Sequence, residues 1–158
     1  MTIKAGDRVP SATLNYLKDG VQELSTDEFF KGKKVVLFAV PGAFTPTCSA
    51  KHLPGYVKHF DDFKQKGYDV ACMAVNDAYV MNAWAKDQNV PEGLHMLADG
   101  NGGFSKAMGL EMDASAYGMG LRSKRFALVV DDGIVKQVHV EAPGEFKVSS
   151  APEVLEKL

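Results

Sequence analysis

The sequence predicts an α/β fold in which a mixed central sheet is flanked by helices and preceded by a β-hairpin extension. Three observations carry that expectation. Two runs, Val35–Val40 and Val70–Val75, are apolar at every position, as strands covered on both faces are. Between them Leu53, Tyr56, Val57, Phe60 and Phe63 recur at three- and four-residue steps, the period of a helix that buries one face. A third run, Arg125–Val130, is followed by Asp131-Asp132-Gly133 and then Ile134–Val140, the pattern of an antiparallel hairpin.

In chain order, Thr13–Leu24 alternates loosely around Asp19-Gly20, a two-residue hairpin signal. Ser25 with Glu28 three residues later fits a capping box, opening a short helix through Phe29 and Phe30 that Gly32 ends. The strand at 35–40 runs into Pro41-Gly42, and the following helix closes at Gly67. Pro54 lies inside that helix and predicts a kink or an early break there. Asn76-Asp77 caps a helix carrying Val80, Met81, Trp84 and Ala85. Leu94–Ala98 reads as a short strand, Asp99–Gly102 as a turn, Phe104–Met108 as a short helix and Ala151–Leu158 as a final one. Strand, helix, strand, helix and antiparallel hairpin give the thioredoxin-like fold in outline, with one domain expected over residues 1–158.

Composition narrows the function classes. Hydrophobic content of 46%, charged content of 24% and a net charge of −2 are ordinary for a globular protein. The basic clusters Lys31-Gly32-Lys33-Lys34 and Arg122-Ser123-Lys124-Arg125 are too short for a nucleic-acid or anionic-membrane footprint. No apolar stretch approaches the roughly 20 residues that span a bilayer. Residues 1–7 show no signal-peptide core, so the expected location is cytoplasmic, although a processed organellar form would read the same. Gly100-Asn101-Gly102-Gly103 fits no nucleotide-binding spacing. The two cysteines, Cys48 and Cys72, form neither a disulfide scaffold nor a C-x-x-C pair, and no metal site is expected.

Cys48 is the candidate nucleophile. The buried strand and the Pro/Gly turn deliver its thiol to the first turn of a helix, where the helix dipole and unpaired N–H groups favour thiolate, the reactive form. The hydroxyls of Thr45 and Thr47 lie within three residues of it. His52 sits four residues on, on the same helix face, and is read as a structural histidine rather than a general base. Cys72 lies mid-strand in an apolar run and is expected to be buried.

Pro41, Thr45 and Cys48 fit the Pro-x-x-x-Thr-x-x-Cys signature of peroxiredoxins. The string Pro41-Gly42-Ala43-Phe44-Thr45-Pro46-Thr47-Cys48-Ser49, followed by His52-Leu53-Pro54-Gly55-Tyr56, resembles the peroxiredoxin-5 or plant type II subfamily. So do Val75-Asn76-Asp77 with Val80-Met81 and Ala83-Trp84, and Lys124-Arg125-Phe126 before Ala127–Val130. The resemblance covers nearly the whole chain. It implies a thiol peroxidase without metal, haem or other cofactor, acting on hydrogen peroxide and alkyl hydroperoxides in antioxidant defence. Cys48 resembles the peroxidatic cysteine and Thr45 the hydroxyl that contacts thiolate and peroxide. Pro41 resembles the ring that shields the pocket, and Arg125 the guanidinium that completes the site, with Arg122 a nearby competitor. Gly42, Phe44 and Thr47 are expected around the pocket, with Phe44 alternatively at a dimer surface, and a homodimer is implied.

Attack on peroxide would leave Cys48 as sulfenic acid, which a second thiol must resolve. Human-type relatives carry a resolving cysteine near the C-terminus, whereas Phe146–Pro152 here contains none. Cys72 matches in position the second cysteine of the plant-type branch and is the candidate second redox thiol. A Cys48–Cys72 bond would need Cα atoms within about 7 Å or substantial unfolding. The expected reductant is therefore external: glutathione with glutaredoxin, or else thioredoxin. A thiol–disulfide oxidoreductase and a peroxide-sensing or chaperone module with little turnover are the competing readings.

Overall fold

A computed structural model describes residues 2–158. Its main sheet has seven strands in the order β2-β1-β5-β4-β3-β8-β9. They are β1 (Thr13–Leu17), β2 (Val21–Ser25), β3 (Lys34–Ala39), β4 (Tyr68–Ala74), β5 (His95–Ala98), β8 (Phe126–Asp131) and β9 (Ile134–Val140). β3, β4 and β5 are mutually parallel, while β8 runs antiparallel to β3, so the sheet is mixed as expected. Helices α1 (Thr26–Phe30), α2 (Leu53–Lys58), α3 (Phe60–Gln65), α4 (Ala78–Asp87), α5 (Gly103–Ala107) and α6 (Ala151–Glu156) cover it.

The continuous apolar runs are explained by cover on both faces. Val36, Phe38 and Val40 pack with Leu53, Tyr56, Phe63, Met81, Trp84 and Val154 on one side. Val35, Leu37 and Ala39 pack with Phe29, Phe30, Phe104 and Met108 on the other. Successive residues of β3 thus alternate between two cores, each satisfying a period of two. A fully buried side chain of this size contributes about 1.5–3 kcal/mol, and Phe38, stacked on Tyr56 with ring centroids 3.9 Å apart, anchors the first core.

Several local expectations need correction. The β1–β2 loop is three residues long, because Leu17 pairs with Val21 and Asp19 and Gly20 both take positive φ. Ser25 does not form a capping box: it is the last residue of β2 and its hydroxyl caps nothing. Thr26 anchors α1 instead, donating to the Pro10 carbonyl and accepting from Ala12 N–H. The helix after Cys48 breaks at His59 (φ −98°, ψ 11°) rather than at Pro54. A π-turn over Cys48–His52, closed by Leu53 N–H on the Cys48 carbonyl, precedes the proline. Pro54 sits in the first turn of α2, where this wider turn accommodates its ring and its missing N–H.

The composition also gave no sign of a small second sheet. β6 (Glu111–Asp113) and β7 (Leu121–Ser123) pair antiparallel around a 3₁₀ turn at Ser115–Tyr117. Among the described residues no helix is long and apolar enough to cross a membrane.

The topology gathers distant residues at one edge. Parallel β3 and β4 end together, at Ala39 and Ala74, and antiparallel β8 begins there, with Phe126 opposite Ala39. The Cys48 loop leaves the end of β3, and Arg125 immediately precedes β8. Residues far apart in sequence are thereby brought to the carboxyl end of the parallel strands, the common location of sites in α/β sheets.

Candidate active site

The loop after β3 is pinned from both sides. Val40 N–H donates to the Met73 carbonyl, and Ala43 N–H donates to Asn76 Oδ1 at 2.9 Å, tying the loop to the end of β4. Phe44 is forced to φ +64°, a left-handed conformation that bulky residues rarely adopt. Gly42 leaves room for its neighbours: a Cβ there would lie 3.1 Å from an Arg122 guanidinium nitrogen and 3.2 Å from the Thr45 methyl. Ser49 N–H donates to the Thr45 carbonyl, which sets the first turn of the helix that carries Cys48.

Cys48 is fully buried. Thr45 Oγ1 lies 2.8 Å from its sulfur and 2.7 Å from the Gly42 carbonyl. A hydroxyl has one proton, so Thr45 donates to only one of the two. When the sulfur is a thiolate, Thr45 can donate to it; when it is a thiol, the S–H can point back to Thr45 while Thr45 serves Gly42. Arg125 Nη2 reaches the same sulfur at 3.1 Å. Hydroxyl and guanidinium thus converge on one atom, beside helix N–H groups that have no partner in the helix.

Arg125 is itself held. Its Nη1 donates to His52 Nδ1 at 2.9 Å, and His52 Nε2 lies 3.1 Å from the Ser149 carbonyl. A guanidinium can only donate and a carbonyl can only accept. His52 is therefore the neutral tautomer with its proton on Nε2. Burial, reinforced by the Arg125 charge, lowers its pKa to about 3. Tyr56 also donates to the Ser149 carbonyl, at 2.7 Å. Glu141 accepts from the N–H groups of Lys147, Val148 and Ser149 and from the Ser149 hydroxyl. Burial alone would raise its carboxyl, but these donors hold it below the usual carboxylate range.

A cavity of about 600 Å³ opens onto this cluster. Pro41, Thr45, Thr47 and Arg125 line it, with Cys48 buried directly behind Thr45 and Arg125. Met112, Tyr117 and Met119, from the β6–β7 arm, form an apolar wall. Gly42 and Phe44 are not among its lining residues; Phe44 is instead half exposed. Arg122 does not reach the sulfur: its Nε donates to the Met119 carbonyl and it packs under Gly42.

Cys72 is a free, fully buried thiol in β4, opposite Phe38. Burial, with a smaller contribution from Cys48, pushes its pKa well up. Among the described residues no group of His, Cys, Asp and Glu could hold a metal ion. Sequence reasoning missed Glu141 and the β6–β7 wall, and it took His52 as structural without its partners. No local pattern marks them; only the antiparallel placement of β9 beside β8 brings Glu141 near Arg125.

A buried sulfur with two convergent donors at the base of a cavity is equipped for attack on a small electrophile whose departing group gains negative charge. Comparison with known proteins gives this arrangement a family. Residues 4–155 match the Redoxin family. Peroxiredoxin-2B of Arabidopsis thaliana is 47% identical, covering 99% of this chain and 98% of its own length. Chloroplastic Peroxiredoxin-2E of Arabidopsis thaliana is 45% identical over 99% of this chain and 70% of its own length. The structure of reduced Prx3 from Vibrio vulnificus in complex with hydrogen peroxide superposes with a TM-score of 0.95 at 51% identity, covering 99% of both chains. Full-length coverage at this identity, with the thioredoxin-like fold, shows that the chain belongs to the redoxin family and within it to the peroxiredoxins, the thiol peroxidases.

Proposed function

We propose that Cys48 is the peroxidatic cysteine and that Thr45, Arg125 and Pro41 complete its site. The observation that carries this reading is the convergence of Thr45 Oγ1 and Arg125 Nη2 on Cys48 Sγ, at 2.8 and 3.1 Å, behind an open cavity. The thiolate attacks the terminal oxygen of a hydroperoxide, an S–O bond forms and the O–O bond breaks. Sulfur loses two electrons and becomes sulfenic acid; the alkoxide or hydroxide takes a proton from solvent and leaves as alcohol or water. Thr45 and Arg125 donate toward the charge that grows on the departing oxygen, and Pro41 keeps water from the sulfur.

Substrate and reductant follow from the same surroundings. Hydrogen peroxide is supported by the related Prx3 complex. Organic hydroperoxides are supported by the apolar wall of Met112, Tyr117 and Met119. A thiol attacks the sulfenic sulfur and expels water, and a second thiol reduces the mixed disulfide. That donor is external, because Cys72 is sealed in β4 and Phe146–Pro152 carries no cysteine. Glutathione with glutaredoxin is favoured over thioredoxin, since a cavity of this size admits a small peptide. Two buried free thiols suit a reducing compartment such as the cytoplasm. A homodimer is supported by Phe44, in the loop after β3, and Tyr79, in the first turn of α4, aromatic residues 51% and 64% exposed on segments tied together by the Ala43–Asn76 bond.

Peroxidase turnover of wild type, Cys48→Ser and Cys72→Ser, each with glutathione/glutaredoxin and with thioredoxin, tests the reading. Loss in Cys48→Ser alone, with faster recycling by glutathione/glutaredoxin, is expected. Loss in Cys72→Ser would make it the resolving thiol. Rapid single-turnover oxidation without recycling by either donor would instead favour a peroxide-sensing module.

A further inference from the structure

We infer that His52, Ser149 and Glu141 form a closed hydrogen-bonded circuit that aims the Arg125 guanidinium at Cys48 while keeping every carboxylate off it. The inference rests on the reading of Cys48 as the sulfur that meets peroxide. The circuit runs from Arg125 Nη1 to His52 Nδ1, from His52 Nε2 to the Ser149 carbonyl, and from the Ser149 N–H and hydroxyl to the Glu141 carboxylate. It closes where Glu141 N–H donates to the Arg125 carbonyl at 2.9 Å. Phe146 adds to it, with its ring 5.8 Å from the guanidinium carbon and edge-on to His52.

Two features separate this arrangement from ordinary packing. First, the guanidinium is planar and its two Nη groups are fixed relative to each other. An acceptor that holds Nη1 therefore sets where Nη2 points, and Nη2 points at sulfur. Second, the acceptor is a neutral imidazole. Among the described residues Arg125 makes no ion pair. Glu141, the buried carboxylate nearest in the circuit, directs its charge to backbone donors of the 147–149 segment. A carboxylate in the place of His52 would fix the geometry equally well but would neutralise the cation that the departing oxygen needs. His52 is thus a positioning residue, and Glu141 positions it in turn through Ser149.

The test compares two rates of Cys48 in single turnover, with hydrogen peroxide and with iodoacetamide. Both consume the Cys48 thiolate, but only peroxide places new charge where Arg125 donates. His52→Leu is expected to slow peroxide about 100-fold, the scale of losing one aimed donor, and iodoacetamide far less. His52→Asn, whose amide oxygen can replace Nδ1 as acceptor, should recover most of the peroxide rate. Glu141→Gln should fall between. Parallel loss of both rates, a peroxide rate in His52→Leu within threefold of wild type, or no recovery in His52→Asn would overturn the inference. Nitrogen NMR of the wild-type ring decides the matter if the variants do not fold: a neutral Nε2–H ring is expected, and a proton on Nδ1 overturns it. Peroxide consumption that persists in Cys48→Ser would instead overturn the reading of Cys48, and this inference with it.

Discussion

The indole N–H of Trp84 donates to the hydroxyl of Ser49, the residue after Cys48, at 3.0 Å. Trp84 is fully buried in α4, so this bond ties the turn carrying the thiol to a second helix of the same core. Ser49→Ala leaves the indole N–H without a partner, at a cost of about 1–3 kcal/mol. The melting temperature should fall accordingly. Because Trp84 is the single tryptophan, the emission spectrum should shift as well. An unchanged spectrum would show that the bond does not hold in solution.

Thr45 serves two acceptors with one proton. Thr45→Val keeps the shape and removes the hydroxyl. The rate of Cys48 oxidation by peroxide should drop by about two orders of magnitude, as for other single donors to a developing anion. Thr45→Ser should stay within about tenfold of wild type, since its hydroxyl can occupy the same place. Stopped-flow oxidation at fixed pH measures both.

How much of this was legible in sequence follows from the range of each interaction. β3, β4 and β8 announced themselves because their inner runs, 35–39, 70–74 and 126–130, are apolar at every position, as strands buried on both faces are. The Cys48 loop was legible because its parts lie within eight residues, Pro41 to Cys48. His52 and Ser149 are 97 residues apart, and what Ser149 offers His52 is a backbone carbonyl, which has no sequence signature. β6 and β7 have three residues each, too few for any period to show. The capping box expected at Ser25 is absent, whereas the kink or break expected at Pro54 takes the form of a π-turn just before it, with the helix break itself at His59. Ser25 belongs to β2, and the π-turn before Pro54 takes up the distortion.

His52 makes stability pH-dependent. In the unfolded chain its imidazole takes a proton near 6.5; in the fold, burial and Arg125 hold that off until about 3. Between those values the unfolded state binds more protons, so stability falls as pH falls. The loss begins below 6.5 and amounts to about 2 kcal/mol at pH 5 relative to pH 7. Burial lowers His95 and His139 too, so they add in the same direction. Denaturant unfolding at several pH values should give a steeper slope for wild type than for His52→Asn. Equal slopes would contradict a buried neutral His52.

Cys72 should be dispensable to the thiol chemistry. Burial raises its pKa, and its strand neighbours seal it from solvent. Cys72→Ala removes one sulfur from a packed core and should reduce stability by about 1 kcal/mol. Peroxide oxidation of Cys48 should remain within about twofold, because nothing that donates to Cys48 Sγ belongs to β4. Mass spectrometry after one equivalent of peroxide should find the added oxygen on Cys48 alone.

Arg125→Lys is the sharpest single substitution. The charge is kept, but an ammonium on a flexible stem is a point charge, whereas the guanidinium spans two partners with a rigid fork. Nη1 and Nη2 serve His52 and Cys48 simultaneously. Lysine can donate to either but is not held in line with both, so it gives up orientation while retaining most of the local potential. If charge alone sustained the peroxide reaction, Arg125→Lys would stay near wild type and Arg125→Gln would collapse. If orientation matters as the fork geometry implies, Arg125→Lys should lose at least about tenfold in peroxide rate. Its iodoacetamide rate should change little, and measuring the two rates side by side distinguishes the cases.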